Sequence, residues 1–471
     1  MIGVQRRHLL LQGLAMGGAG LSGCAVPTPA VGGPFSATDL ARAAALRDAG
    51  LRSGLAWELL QSLVAEVGPR AAGSPGDARA VAWAQTRMQR LGLTQVRAEP
   101  VPLTTWQRGA TTAVLTSPRR HELVVTALGN SIGGRELDAE LAYYPDFAAL
   151  RADTTERARG RIVFIDQRTE RTRDGSGYSR AVLARFSGAV EAARRGAVAV
   201  AIRSLGTDQD RIAHTGAMRY DPQVAAIPAV AVSVPDADLV AQLQAGGAPL
   251  KMQLRMEATG KITATSHNVI GEIPGSDLAH EIVLLSGHLD TWDISPGAQD
   301  NGAGCAISMA AAKVLLEAGH RPRRTVRVVL FANEENGFDG ARAYAERYKD
   351  VVHQLIGESD FGADRIWRLR SRVAPEALPT MATMGEVLRP LGIAIEGNDG
   401  SPGPDAALLM RLRKWPAIEL TQDGTRYFDV HHTVADTLDK IDPATLPQNV
   451  AAWATVAWLA AQSPQRLGPL T

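Results

Sequence analysis

Apolar residues recur at helical spacing over residues 55–67 and again over 78–91, the second run opened by Asp77 as a predicted N-cap and closed by Gly92. Short apolar runs at 96–101 and 121–128 predict strands, and 135–144 is also strand-like. From about residue 141 the pattern tightens into a strand at 161–165, a helix at 182–195 and strands at 197–202 and 227–234. The polar, Gly-rich stretch 168–178 within it is expected to be a surface loop. After Ser266 the alternation resumes, with strands at 268–273 and 282–285, a helix at 303–318, a strand at 326–331 and a helix from about residue 339. Two more candidate strands end at Gly357-Glu358-Ser359-Asp360 and cover 417–420. Strands separated by helices imply right-handed crossovers, hence an α/β fold with a mostly parallel, doubly covered sheet. No internal repeat is present.

Composition narrows the partners. The chain has 471 residues, 45% of them apolar, and its 50 Lys+Arg against 49 Asp+Glu leave a formal charge of +1. That balance supplies no field for gripping nucleic acid or an acidic membrane. Two cysteines, Cys24 and Cys305, cannot build a disulfide framework, and Cys305 falls in a predicted helix as a small core residue. Arg6-Arg7 precede an apolar run over residues 9–21, which is shorter than the ~20 residues a spanning helix needs. The pair resembles a twin-arginine export signal, and Leu21-Ser22-Gly23-Cys24 a lipobox. Ordinary signal cleavage near Ala25 is the alternative. Either way a periplasmic or extracellular protein is expected, and on the lipobox reading a lipid on Cys24 is its one membrane attachment.

The polar clusters stand where strands end, the usual place for functional groups in open parallel sheets. Gly287-His288-Leu289-Asp290 offers an imidazole for zinc and a carboxylate to accept its other ring N–H. Asp300-Asn301, between Gly297 and Gly302, reads as a helix cap, and its carboxylate has lone pairs enough to bridge two cations. Adjacent Glu334 and Glu335 at the mouth of a buried strand repel unless cations or protons compensate, and beside a metal one can ligate while the other takes a proton. Asp360 ends a further strand, and His431-His432-Thr433 leads to Asp436-Thr437. Each cluster alone has a structural explanation. Five separated segments offering His, Asp, Glu, Asp and His in α/β order do not reduce to capping and solvation.

This ordered set resembles the co-catalytic zinc exopeptidases related to glutamate carboxypeptidase and the transferrin receptor, and within them the plasma glutamate carboxypeptidase branch. Gly68-Pro69-Arg70 and Asn268-Val269-Ile270-Gly271 are similar to that group as well. The resemblance implies a zinc exopeptidase fold with an inserted protease-associated α/β domain: signal and lipobox at 1–24, linker at 25–40, peptidase domain at 41–128 and 263–471, insert at 129–262. It implies two Zn2+ per chain, one on His288 and Asp360, the other on Glu335 and His432, with Asp300 bridging. Glu334 would be the general base and Asp290 would orient His288, while His431 stands where relatives often carry a tyrosine. The implied activity is hydrolysis of short peptides or dipeptides by metal-activated water, carboxypeptidase-like, in a homodimer.

Other chemistries fare less well. Gly129-Asn130-Ser131-Ile132-Gly133 fits a nucleophile elbow, but the segment after it, 135–144, is strand-like and not helical. No His-Glu-x-x-His, P-loop or dinucleotide fingerprint occurs. A related two-metal deacylase, an aminopeptidase and a non-catalytic receptor with the peptidase shape stay open. Asp405 is a candidate for an ammonium, and Arg413 or Arg426 for a carboxylate.

Overall fold

The computed structural model describes residues 34–470; the export signal, the lipobox and Cys24 lie outside the described residues. The described residues form one compact unit. The predicted 25–40 linker is overturned at its end, because Ser36 caps a helix that already starts at Ala37 and runs to Gly50. Among the described residues no helix is long and apolar enough to cross a membrane.

A mixed sheet of 14 strands runs through the molecule. Its central strands, Leu278–His288, Arg324–Phe331 and His353–Glu358, are parallel. Arg324–Phe331 is buried at every position, as expected of a strand covered on both faces. Helix Ala303–Glu317 packs on this part of the sheet with an Ala-rich surface that permits close approach. Gly304 sits where a Cβ would fall 1.8 Å from the carbonyl oxygen of Ser359. Register then decides where chemistry goes: Phe331 pairs with His288 and Glu358 with Ser286, so three strands end at one edge.

Several predicted boundaries move. The helix expected from Ala78 begins at Pro75, its cap is Ser74, and Asp77 lies inside the first turn. The short strands at 96–101 and 268–273 are the ends of two long partners, Thr94–Ser117 and Lys251–Ile273, paired antiparallel. Alternating residues cannot reveal such an extension once both faces are partly wet. Lys251–Ile273 also carries the sheet without a break across the expected boundary at 262. The parallel strands Arg135–Tyr144, Ile162–Ile165, Ala199–Arg203 and Ala229–Val232 enclose, with their helices, a cluster that includes Val163, Ile165, Val200 and Ile202.

Candidate active site

The common strand edge gathers the residues. His288 ends its strand; Glu334 and Glu335 come after Phe331, and Asp360 after Glu358. Asp300 lies in an irregular segment with φ −118° and ψ 93°, not in a helical turn. Its main-chain N–H and that of Gln299 donate to the Asp436 carboxylate at 3.0 and 2.7 Å. Asp436 therefore holds the loop that aims Asp300. Asp290 does the same for the next loop, accepting from the N–H groups of Glu334 at 3.0 Å and Glu335 at 3.4 Å. The sequence marks Asp290 as the orienter of His288, but the nearest partner of His288 Nδ1 is the Asp290 carbonyl at 3.0 Å, with the carboxylate at 3.6 Å.

With Nδ1 on that carbonyl, His288 turns Nε2 toward Asp300 Oδ1 at 3.0 Å and Asp360 Oδ1 at 3.6 Å. The other Asp300 oxygen, Oδ2, faces His432 Nε2 at 3.3 Å, and His432 Nε2 faces Glu335 Oε2 at 3.1 Å. Donors sharing one tetrahedral zinc at ~2.0–2.1 Å sit about 3.3 Å apart, so the spacing is that of ligands around an ion. Asp360 Oδ1 supports this, being buried with no hydrogen-bond partner. His431 joins the cluster, stacked on His432 at 3.6 Å between centroids with Nε2 3.6 Å from Asp300 Oδ2. Glu334 Oε2 is 4.0 Å from His288 Nε2, and its side chain is 12% exposed, the most open of the predicted set for which contacts fix a position.

Burial drives the electrostatics. It raises Glu334 well above the usual carboxylate range, with Asp360, Glu335 and Asp405 adding to it against His288. Burial likewise raises Glu335 and Asp360, and lifts Asp436 to about 7. Asp300 goes the other way, because its bonds to His288 and His432 outweigh burial. His432 rises to about 9, as Glu335 and Asp300 overcome desolvation. Such a set of mutually repelling buried acids calls for positive charge.

A cavity of about 410 Å³ opens onto Asp300, Glu334, Glu335 and Asp360. Tyr178 and Gly175 line it, so the 168–178 stretch is a wall of the site and not merely surface loop. Arg185 lines it too and was not singled out by the sequence, which gives no signal for an arginine inside a helix surface. The candidates for gripping a peptide terminus fail: Asp405 is fully buried, Arg413 pairs with Glu346 and Arg426 with Asp364. Ser131 is buried, its hydroxyl accepting from the Ala229 N–H at 2.8 Å, and no histidine contacts it among the described residues.

Residues 268–457 match the model of peptidase family M28. The chain is 35% identical over 415 residues to carboxypeptidase Q of Homo sapiens, covering 87% of this chain and 86% of that one. This chain belongs to peptidase family M28. A crystal structure of an M28 peptidase precursor from Shewanella amazonensis superposes with a TM-score of 0.90 at 44% identity, covering 92% of this chain and 99% of that one. A zinc aminopeptidase from Bacillus subtilis shares the fold, with a TM-score of 0.61 at 19% identity over 88% of this chain and 97% of that one. M28 membership makes the chain a metallo-exopeptidase that hydrolyses peptide bonds.

Proposed function

We propose that this M28 enzyme is a dizinc carboxypeptidase or dipeptidase of short peptides. The observation that carries the metal count is Asp300, whose two oxygens face two different imidazoles. His288 and Asp360 would hold one zinc and Glu335 and His432 the second, with Asp300 shared between the two sites. Metal bound there would supply an acidified water and a Lewis acid for the scissile carbonyl. Glu334, raised by burial, takes the proton of the attacking water at its carboxylate and returns it to the leaving amine. Asp290 and Asp436 keep the ligand loops in place through main-chain N–H groups. The carboxypeptidase sense rests on the 35% relative's name.

The region 129–262 serves as an inserted protease-associated domain, supported by its parallel strands and separate cluster. Export through the Arg6-Arg7 signal, lipidation at Cys24 and homodimer formation complete the proposal. Blocking export with paired lysines at positions 6 and 7, and loss of membrane association in Cys24→Ser, test the first two.

The deciding experiment is Glu334→Gln. Zinc per chain stays at two while kcat on a dipeptide falls by about 10²–10⁴-fold, the range for a general acid–base group. Loss of zinc equal to that of Asp300→Asn would show Glu334 to be a ligand instead.

A further inference from the structure

Six arginines are buried in the described residues: Arg70, Arg185, Arg203, Arg324, Arg327 and Arg368. Arg203, Arg324 and Arg327 each meet a carboxylate at 2.6–2.9 Å, and Arg368 has Glu396 at 3.6 Å. Arg70 instead donates to the main-chain carbonyls of Gly68, Leu289, Pro296 and Gly297. Arg185 has no carboxylate partner and only two long bonds to main-chain carbonyls. It is 5% exposed, and no carboxylate lies within 4.0 Å of it among the described residues. Nε donates to Ala217 O at 3.2 Å and Nη1 reaches Thr215 O only at 3.5 Å, and the Tyr178 hydroxyl also lies against the guanidinium. The rings of Tyr178 and Phe186 flank it at 5.5 and 5.2 Å.

A buried guanidinium without a counter-ion is costly, and aromatic faces offset only part of that. The site is nevertheless built for it. Gly216, at φ +136°, lies against the guanidinium, where a Cβ would stand 2.3 Å from Nη1 and push the side chain aside. Arg185 lines the same cavity as Glu334 and Asp360. Those acids repel any anion on the substrate, so the arginines of the opposite wall, buried Arg185 and exposed Arg219, are the groups that attract one, and Arg185 is the one held in place by its surroundings. The planar fork of arginine matches a carboxylate with two parallel hydrogen bonds.

The alternative is that Arg185 acts only through His432, whose Nδ1 is 3.5 Å from Nη1. That contact is a poor hydrogen bond once His432 Nε2 faces a cation, since Nδ1 then carries the proton and donates to Thr215 O at 3.3 Å. Two donors would face each other.

We propose that Arg185 is the carboxylate-binding residue of the substrate cavity and reads the free C-terminal carboxylate of a short peptide. This rests on the exopeptidase reading of the same site. The test measures kcat/KM of the zinc-loaded enzyme on a free dipeptide, on its C-terminal amide and on an amide whose second residue is glutamate. The wild type favours the free acid over both amides. Arg185→Gln cuts the acid-to-amide ratio by about ten-fold or more, the scale of one charged hydrogen bond, and keeps its zinc; Arg185→Lys recovers part of the ratio. An unchanged ratio in Arg185→Gln, with both rates lowered, would assign the arginine to His432 and overturn the proposal. Equal turnover of acid and amide by the wild type overturns it and leaves the exopeptidase reading standing. Full turnover of the glutamate amide shows that a side-chain carboxylate is read instead, which also overturns it. No turnover of any substrate would sink the exopeptidase reading itself.

Discussion

Asp300 and Asp436 carry the same functional group and are pushed in opposite directions. Asp300 lies between two imidazoles, which pull its pKa far down; Asp436 meets only main-chain N–H groups, and burial lifts it to about 7. Environment, not residue type, sets the two apart: the resemblance implied Asp300 as a bridging ligand, but the work of Asp436 as a main-chain anchor shows only in the fold. A similar argument gives a stability prediction at His353. Its ring is buried, bonded at Nε2 to the Tyr344 hydroxyl at 2.9 Å and stacked 3.6 Å from Trp415. Burial pushes its pKa down to about 3. Below the unfolded value near 6.5 the unfolded chain binds a proton that the native ring refuses, so stability is lost as pH falls from about 6.5 toward 3 and is untouched above that window. His353→Gln is expected to cost about 1–3 kcal/mol at pH 7.5 from lost packing. Its urea-denaturation stability should then decline less steeply than the wild type's between pH 6.5 and 4. Parallel curves would show that His353 does not titrate as described.

The elements read best where packing on both faces makes a dense apolar run. Arg324–Phe331 and Ala303–Glu317 fall within two residues of expectation, because full burial leaves little polar alternation to mislead. The long pair Thr94–Ser117 and Lys251–Ile273 was legible only at its buried ends. Helix Ala303–Glu317 also supports a prediction. Alanine at 304 improves helix propensity by up to about 1 kcal/mol, yet its Cβ falls 1.8 Å from Ser359 O and 2.2 Å from Asn301 Oδ1. Overpacking of that kind costs about 1–3 kcal/mol. Gly304→Ala should therefore lower Tm and weaken zinc binding, since both obstructing residues adjoin the proposed ligands Asp300 and Asp360. Unchanged zinc affinity by competition with a chelator would mean that the strand end does not move with its helix.

At the scale of the molecule, residues 171–215 do more than wall the cavity. The Thr215 N–H donates to His432 O at 2.9 Å, and His214 Nδ1 lies 2.8 Å from His431 O. Arg171 and Arg173 pair with Asp429 and Asp423. The His431–His432 loop near the C-terminus is thus held by chain more than two hundred residues earlier. The crowding of buried acids around it predicts a proton-linked metal response. Removing zinc leaves Glu334, Glu335 and Asp360 with raised proton affinity, so rebinding should release protons, visible as a buffer-dependent heat in calorimetry. Zinc at a thousand-fold excess over Kd should stabilise the fold by about 4 kcal/mol, read as a rise in Tm. A buffer-independent heat would mean that the acids are already ionised in the empty site.

The order of chemistry along the chain was decided by sequence alone: His288, Glu334, Glu335 and Asp360 stand at or just past strand ends because apolar runs stop there, and Asp300 and His432 fall in the polar loops between elements. The α/β alternation comes from the same runs. Which of these groups face one another was decided only by tertiary structure, since strand register brings His288 level with Phe331 and Ser286 level with Glu358. Arg185 is the sharpest case. Nothing in its local pattern distinguishes it from a solvated helix arginine, because lacking a counter-charge is a property of what surrounds a side chain in space, and a linear chain does not carry that information.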